Sequence, residues 1–119
     1  KNRDLMIEYQ KIESQFKLKL EQLKTQKKYA FENENKIRMD SFQKLIDNTI
    51  TKSYLYTANF ALTYSKYEIA PYLAYTKIGD ANIPLLDSIA RTLSPKAMKS
   101  KYGKKFLSLI RSRKVIQKE

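Results

Sequence analysis

Residues 1–50 read KNRDLMIEYQKIESQFKLKLEQLKTQKKYAFENENKIRMDSFQKLIDNTI, and this stretch decides the fold class. Neither glycine nor proline occurs anywhere in residues 1–70, so no residue type forces a helix to stop. Apolar side chains recur at helical spacing: Leu5, Tyr9, Ile12, Phe16, Leu20 and Leu23, then Ile37, Phe42, Leu45 and Ile46. In heptads, one column is Tyr9, Phe16, Leu23, Ala30 and Ile37, apolar throughout. Its partner column starts with Leu5 and Ile12 and turns polar at Lys19, Gln26 and Asn33. Glu13–Lys17, Glu32–Lys36 and Asp40–Lys44 place an acid four residues before a lysine, each worth about 0.2–0.5 kcal/mol on a helix.

These features predict a long N-terminal helix or helix pair with an interaction stripe, over residues 1–50. The stretch from Lys24 to Arg38 is polar on nearly every face, so it is an exposed spacer or a break near Asn33–Asn35, where the asparagines compete for backbone hydrogen bonds. The stripe of Leu5, Tyr9, Ile12, Phe16 and Leu23 has two uses: a short coiled coil that joins copies into a homodimer or higher oligomer, or packing within the chain. The sequence leaves both open, because the repeat is not sustained.

Residues 51–119 predict a compact helical domain, which makes the chain all-α. Residues 54–64 alternate in a near-strand pattern with Tyr54, Tyr56, Ala58, Phe60, Leu62 and Tyr64 on one side. A helical stripe of Leu55, Ala58 and Leu62 competes with it and is preferred, since no hairpin turn flanks the run. Pro71 is expected to end that element and Lys77–Asp80 to form a turn. Asn82 and Pro84 suit the start of a helix running to about Leu93, and Ser94 and Pro95 the start of the last one, about Pro95 to Arg113. The segment Ile89-Ala90-Arg91-Thr92-Leu93-Ser94-Pro95-Lys96-Ala97 resembles the general plan of a helix-turn-helix DNA-binding unit, with Ala90, Leu93 and Ala97 as the small and apolar packing residues. It departs from that family in a shorter turn that lacks the glycine. The resemblance covers about 25 residues and implies a nucleic-acid partner.

The charge is segregated. Residues 1–90 hold 14 Lys/Arg against 11 Asp/Glu, whereas residues 91–119 hold ten against one. A concentrated cation implies a directed anionic partner. On the last helix Met98, Tyr102, Phe106, Leu109 and Ile110 share one face; Lys96, Lys104, Arg111 and Lys114 lie roughly opposite, with Lys101 and Lys105 at the edge. Lys96, Lys99, Lys101, Lys104, Lys105, Arg111, Arg113 and Lys114 are the candidate nucleic-acid contacts. The lysines suit phosphates, and Arg111 and Arg113 suit planar, bidentate contacts. Tyr72, Tyr75 and Tyr102 could stack on bases, although core packing is the commoner use of large aromatics at this spacing.

The expected function is therefore non-catalytic: nucleic-acid binding through the C-terminal helix, with dimerisation through the N-terminal one. The alternative is a structural or assembly protein, a helical subunit, phage-type scaffold or adaptor, whose basic tail meets an acidic protein partner. A membrane surface ranks below both, because it needs an apolar face that the core also needs. There is no cysteine and no histidine, which removes thiolate chemistry and the commonest general base and metal ligand. No glycine-rich phosphate loop, nucleophile motif or metal-spaced ligand set is present, so no cofactor, metal or catalytic residue is expected. The first residue is Lys1, not methionine, so the chain is expected to be a fragment or processed form whose compartment is not legible; the cytoplasm, a virion or another large assembly would fit. The longest uncharged run, 53–65, falls well short of the roughly 20 apolar residues of a membrane span.

Overall fold

The structure, a computed structural model, describes residues 2–118, and the side chains of residues 2–116. Among these residues there are six helices and no strand: α1 (Asn2–Glu32), α2 (Lys36–Thr63), α3 (Ile69–Thr76), α4 (Ile83–Thr92), α5 (Pro95–Lys99) and α6 (Lys101–Lys118). The chain is all-α, and residues 54–64 complete α2 as helix up to Thr63. No described helix is long and apolar enough to cross a membrane. The contacts divide the chain into two compact units, Ile7–Ser53 and a second formed by Lys1–Met6 with Tyr54–Glu119.

The first unit is a helical hairpin made of most of α1 and the first half of α2. Its tip falls at Asn33–Asn35, where the sequence placed a possible break. Glu34 takes a left-handed conformation, φ 55°. Its N–H donates to the Phe31 carbonyl at 3.0 Å, and the Asn35 N–H donates to Ala30 at 2.9 Å, closing α1 with a Schellman pair. Asn35 then caps α2: its Oδ1 accepts from the Arg38 N–H at 3.1 Å. Asn35 thus ends the turn with its backbone N–H and starts the next helix with its side chain, which is why a break with neither glycine nor proline is sharp. Leu23, Ala30, Ile46 and Thr49 are buried in this unit, and Lys27 donates to Gln43 across it.

The heptad column holds only as far as the tip. Tyr9, Leu23 and Ala30 are buried, but Ile37 is 81% exposed, because the turn resets the helical phase. The expected oligomerisation stripe of Leu5, Tyr9, Ile12, Phe16 and Leu23 is partly buried in the single chain. Leu5 and Tyr9 are 3% exposed and Leu23 is 6% exposed within the single chain, so three of its five residues offer no surface to a second copy. Ile12 and Phe16 stay half-buried. The stripe is largely used by packing within the chain.

In the second unit Ala58, Ala61, Ala70, Ala74, Ile78, Leu86, Ile89, Leu93, Ala97, Phe106 and Ile110 form one core. Pro71 does not end α2. It occupies the first turn of α3, where its missing N–H has no intrahelical partner to lose. Asn82 caps α4 by accepting from the Leu85 N–H, and Ser94 caps α5 by accepting from the Ala97 N–H at 3.1 Å. The Ser94 hydroxyl also donates to the Lys66 carbonyl, tying the α4–α5 corner to the α2–α3 connection.

The expected continuous helix from Pro95 to Arg113 is interrupted at Ser100. Ser100 is extended, ψ 165°, and its Oγ accepts from the Gly103 N–H at 3.1 Å, so it caps a new helix, α6. A serine three residues before a glycine carried this signal in the sequence. Glycine is required because a β-carbon at position 103 would lie 2.0 Å from the Ala97 carbonyl oxygen.

Candidate functional site

α6 contains no acidic residue in its described length. Lys101, Lys104, Lys105 and Arg111 are exposed, and steps of three and four residues keep them on one face together with Ser108. Opposite them, Phe106 and Ile110 are buried, and Met98 of α5 packs on the same core. Phe106 and Ile110 are thus taken up by the core, while Val115 and Ile116 near the end of α6 are exposed. Lys96 and Lys99 are exposed on α5.

Two of the expected contact residues have partners within the chain, Arg113 half-buried and Lys114 exposed. Arg113 is half-buried, and its guanidinium Nη1 donates to the Gly79 carbonyl at 3.0 Å and to the Ala81 carbonyl. Through that nitrogen it fastens the α3–α4 turn to α6. Lys114 pairs with Asp87 at 3.0 Å. The six remaining candidates are Lys96, Lys99, Lys101, Lys104, Lys105 and Arg111, five of them lysine.

The three tyrosines are half-buried and packed on one another. Tyr72 meets Tyr102 edge-on, with centroids 4.7 Å apart, and Tyr75 lies 6.2 Å from Tyr102. Lys105 Nζ sits 5.4 Å from the Tyr102 centroid and 6.0 Å from that of Tyr75, and Lys101 Nζ is 5.7 Å from Tyr102. Cation–π attraction at such distances is worth about 0.5–1 kcal/mol on a surface and fixes the ammonium positions. The rings therefore brace the lysines and lend little face to a stacked base.

The residues behind the helix-turn-helix resemblance take the following places. Leu93 and Ala97 are in the core, with Ala90 against it. The second helix, α5, has five residues, about 7 Å long at 1.5 Å per residue.

Sequence reasoning missed what the hairpin leaves uncovered. Ile7, Leu18, Tyr29, Phe31, Ile37, Leu45 and Ile50 are 40–81% exposed. The exposed positions on α2 escaped because residues 37–50 looked like a continuation of one stripe, whereas the turn gives α2 a phase of its own.

Among the described residues, no three or more acidic side chains gather as a metal-ligand set, and no buried side-chain nitrogen or oxygen lacks a hydrogen-bond partner. Comparison with known protein families, curated proteins and solved structures finds no match.

Proposed function

We propose that this chain is a non-catalytic helical assembly module, a scaffold or adaptor element whose hairpin docks a protein partner and whose cationic α5–α6 face meets an acidic surface. One observation carries this reading. Seven large apolar side chains of the hairpin are exposed, while its buried residues are Tyr9, Leu23, Ala30, Ile46 and Thr49. Two helices packed on each other have only one buried seam, which leaves their other apolar side chains available to a partner. Three further facts agree: α5 is short, Arg113 serves the fold, and the tyrosine faces are engaged.

Nucleic-acid binding is the second reading, and the acid-free cationic face of α6 favours it. With lysines in the majority it would contact phosphates and read no sequence. The two readings separate by polarisation measurements with a duplex DNA, a single-stranded RNA and polyglutamate of matched charge. The assembly module shows no preference for nucleic acid over polyglutamate. A preference above about tenfold, falling steeply with added salt, would transfer the function to nucleic acid.

A further inference from the structure

We infer that one flank of the hairpin is a groove for a single helix of a protein partner, a helix with an apolar stripe bordered by aspartate and glutamate. The groove belongs to the assembly module proposed above and stands only with that reading. Two clefts define it. One is lined by Ile12, Phe16 and Lys19 of α1 with Leu45, Thr49 and Lys52 of α2. The other, nearer the tip, includes Gln26, Tyr29 and Asn33 of α1 with Arg38 and Phe42 of α2.

Both clefts lie on the same flank. On α1 the residues follow at 12, 16, 19, 26, 29 and 33, and on α2 at 38, 42, 45, 49 and 52. These are steps of three and four residues, with one of seven from 19 to 26, and such steps keep side chains on one side of a helix. From position 12 to position 33 the groove runs about 30 Å, the length of roughly 20 helical residues. The furrow between two packed helices is also the natural seat of a third, whose side chains fill the holes between their ridges.

Charge decides what the third helix is. Asp and Glu are absent from the lining of both clefts, whereas Lys19, Arg38 and Lys52 border them. A second copy seated by two-fold symmetry would bring the same acid-free lining against this one, so Lys19, Arg38 and Lys52 would meet no carboxylate there. A helix with carboxylates beside its apolar stripe meets Ile12, Phe16, Phe42 and Leu45 with its stripe and the three cations with its rims. Such complementarity governs orientation and encounter more than total affinity.

The test uses the full chain and two labelled helical peptides of about 20 residues with the same leucine stripe, one flanked by glutamate and one by lysine. The glutamate peptide binds. Leu45→Glu, at a position 46% exposed and so compatible with folding, weakens it at least about tenfold. Reversing Lys19, Arg38 and Lys52 to glutamate abolishes that binding and creates binding of the lysine peptide, with helical circular dichroism retained. Lys101→Glu with Lys104→Glu leaves the glutamate peptide's affinity within about twofold. If the α6 pair abolishes binding while Leu45→Glu and the triple reversal do not, the groove is overturned and the assembly reading survives. If neither peptide binds and duplex DNA does, both are overturned. A dimer of the free protein that Leu45→Glu dissolves assigns the groove to a second copy and overturns the partner helix.

Discussion

The carbonyl oxygen of Ala97 lies 2.0 Å from where a β-carbon would stand on Gly103, and that of Met98 lies 2.6 Å from it. The α5–α6 corner therefore closes only on glycine, and the placement of the whole α6 cationic face depends on it. Gly→Ala inside a helix ordinarily stabilises by up to about 1 kcal/mol. Here Gly103→Ala costs about 2 kcal/mol or more, because the obstacle is backbone and cannot rotate aside. Urea unfolding checks the sign, and a gain in stability would contradict the corner geometry.

At the hairpin tip the sign reverses. Glu34 holds φ 55°, a conformation that costs an L-residue with a β-carbon about 1 kcal/mol and costs glycine nothing. Glu34→Gly therefore raises stability by about 0.5–1 kcal/mol, with no change in helix content. Thermal unfolding followed by circular dichroism measures it.

Tyr54 donates its hydroxyl to Asp80 Oδ1 at 2.7 Å. That hydrogen bond, then burial, then the negative charge of Asp80 hold the phenol above its ordinary pKa of 10.0. A group whose proton is held more tightly in the folded state contributes its full stability below the unfolded pKa and loses it as pH rises through the folded one. Stability therefore falls with pH above about 10. In Tyr54→Phe this part of the alkaline loss disappears, and the mutant is less stable than the wild type at neutral pH. Melting temperatures across the alkaline range decide it, and an unchanged alkaline slope would remove Tyr54 from the account.

α6 opens with Lys101 and Lys104 in and beside its first turn, where the helix dipole is positive, and no acid offsets them. Each such cation costs about 0.3–1 kcal/mol. Lys104→Glu should therefore stabilise the fold by a similar amount while weakening polyglutamate binding. Opposite signs in the two measurements identify a surface kept cationic for contact. Loss of both would mean that Lys104 serves the fold.

Much of the fold was legible from residue chemistry alone. The absence of breakers before Pro71 indicated long helix, as one element or a pair, Asn33–Asn35 was one possible break, and Asn82 and Ser94 marked helix starts. The interruption at Ser100 was not read, because Met98, Tyr102 and Phe106 keep a helical step across it and mask the cap. Pro71 was misplaced because proline is tolerated in a first turn as well as after a last one. Of the candidate contacts, Arg113 and Lys114 could not be told from their neighbours by charge. What distinguishes them is that the carbonyls of Gly79 and Ala81 and the carboxylate of Asp87, far away in sequence, come to meet them. The hairpin groove was invisible for a related reason: its two walls take their phase from either side of a turn.

Amide hydrogen exchange of the full chain, with and without the glutamate-flanked helical peptide, tests the central claim most directly. Docking by the hairpin predicts slowed exchange along residues 12–33 and 38–52, with 96–111 unchanged. Slowed exchange confined to 96–111 would contradict it and return the function to the cationic face alone.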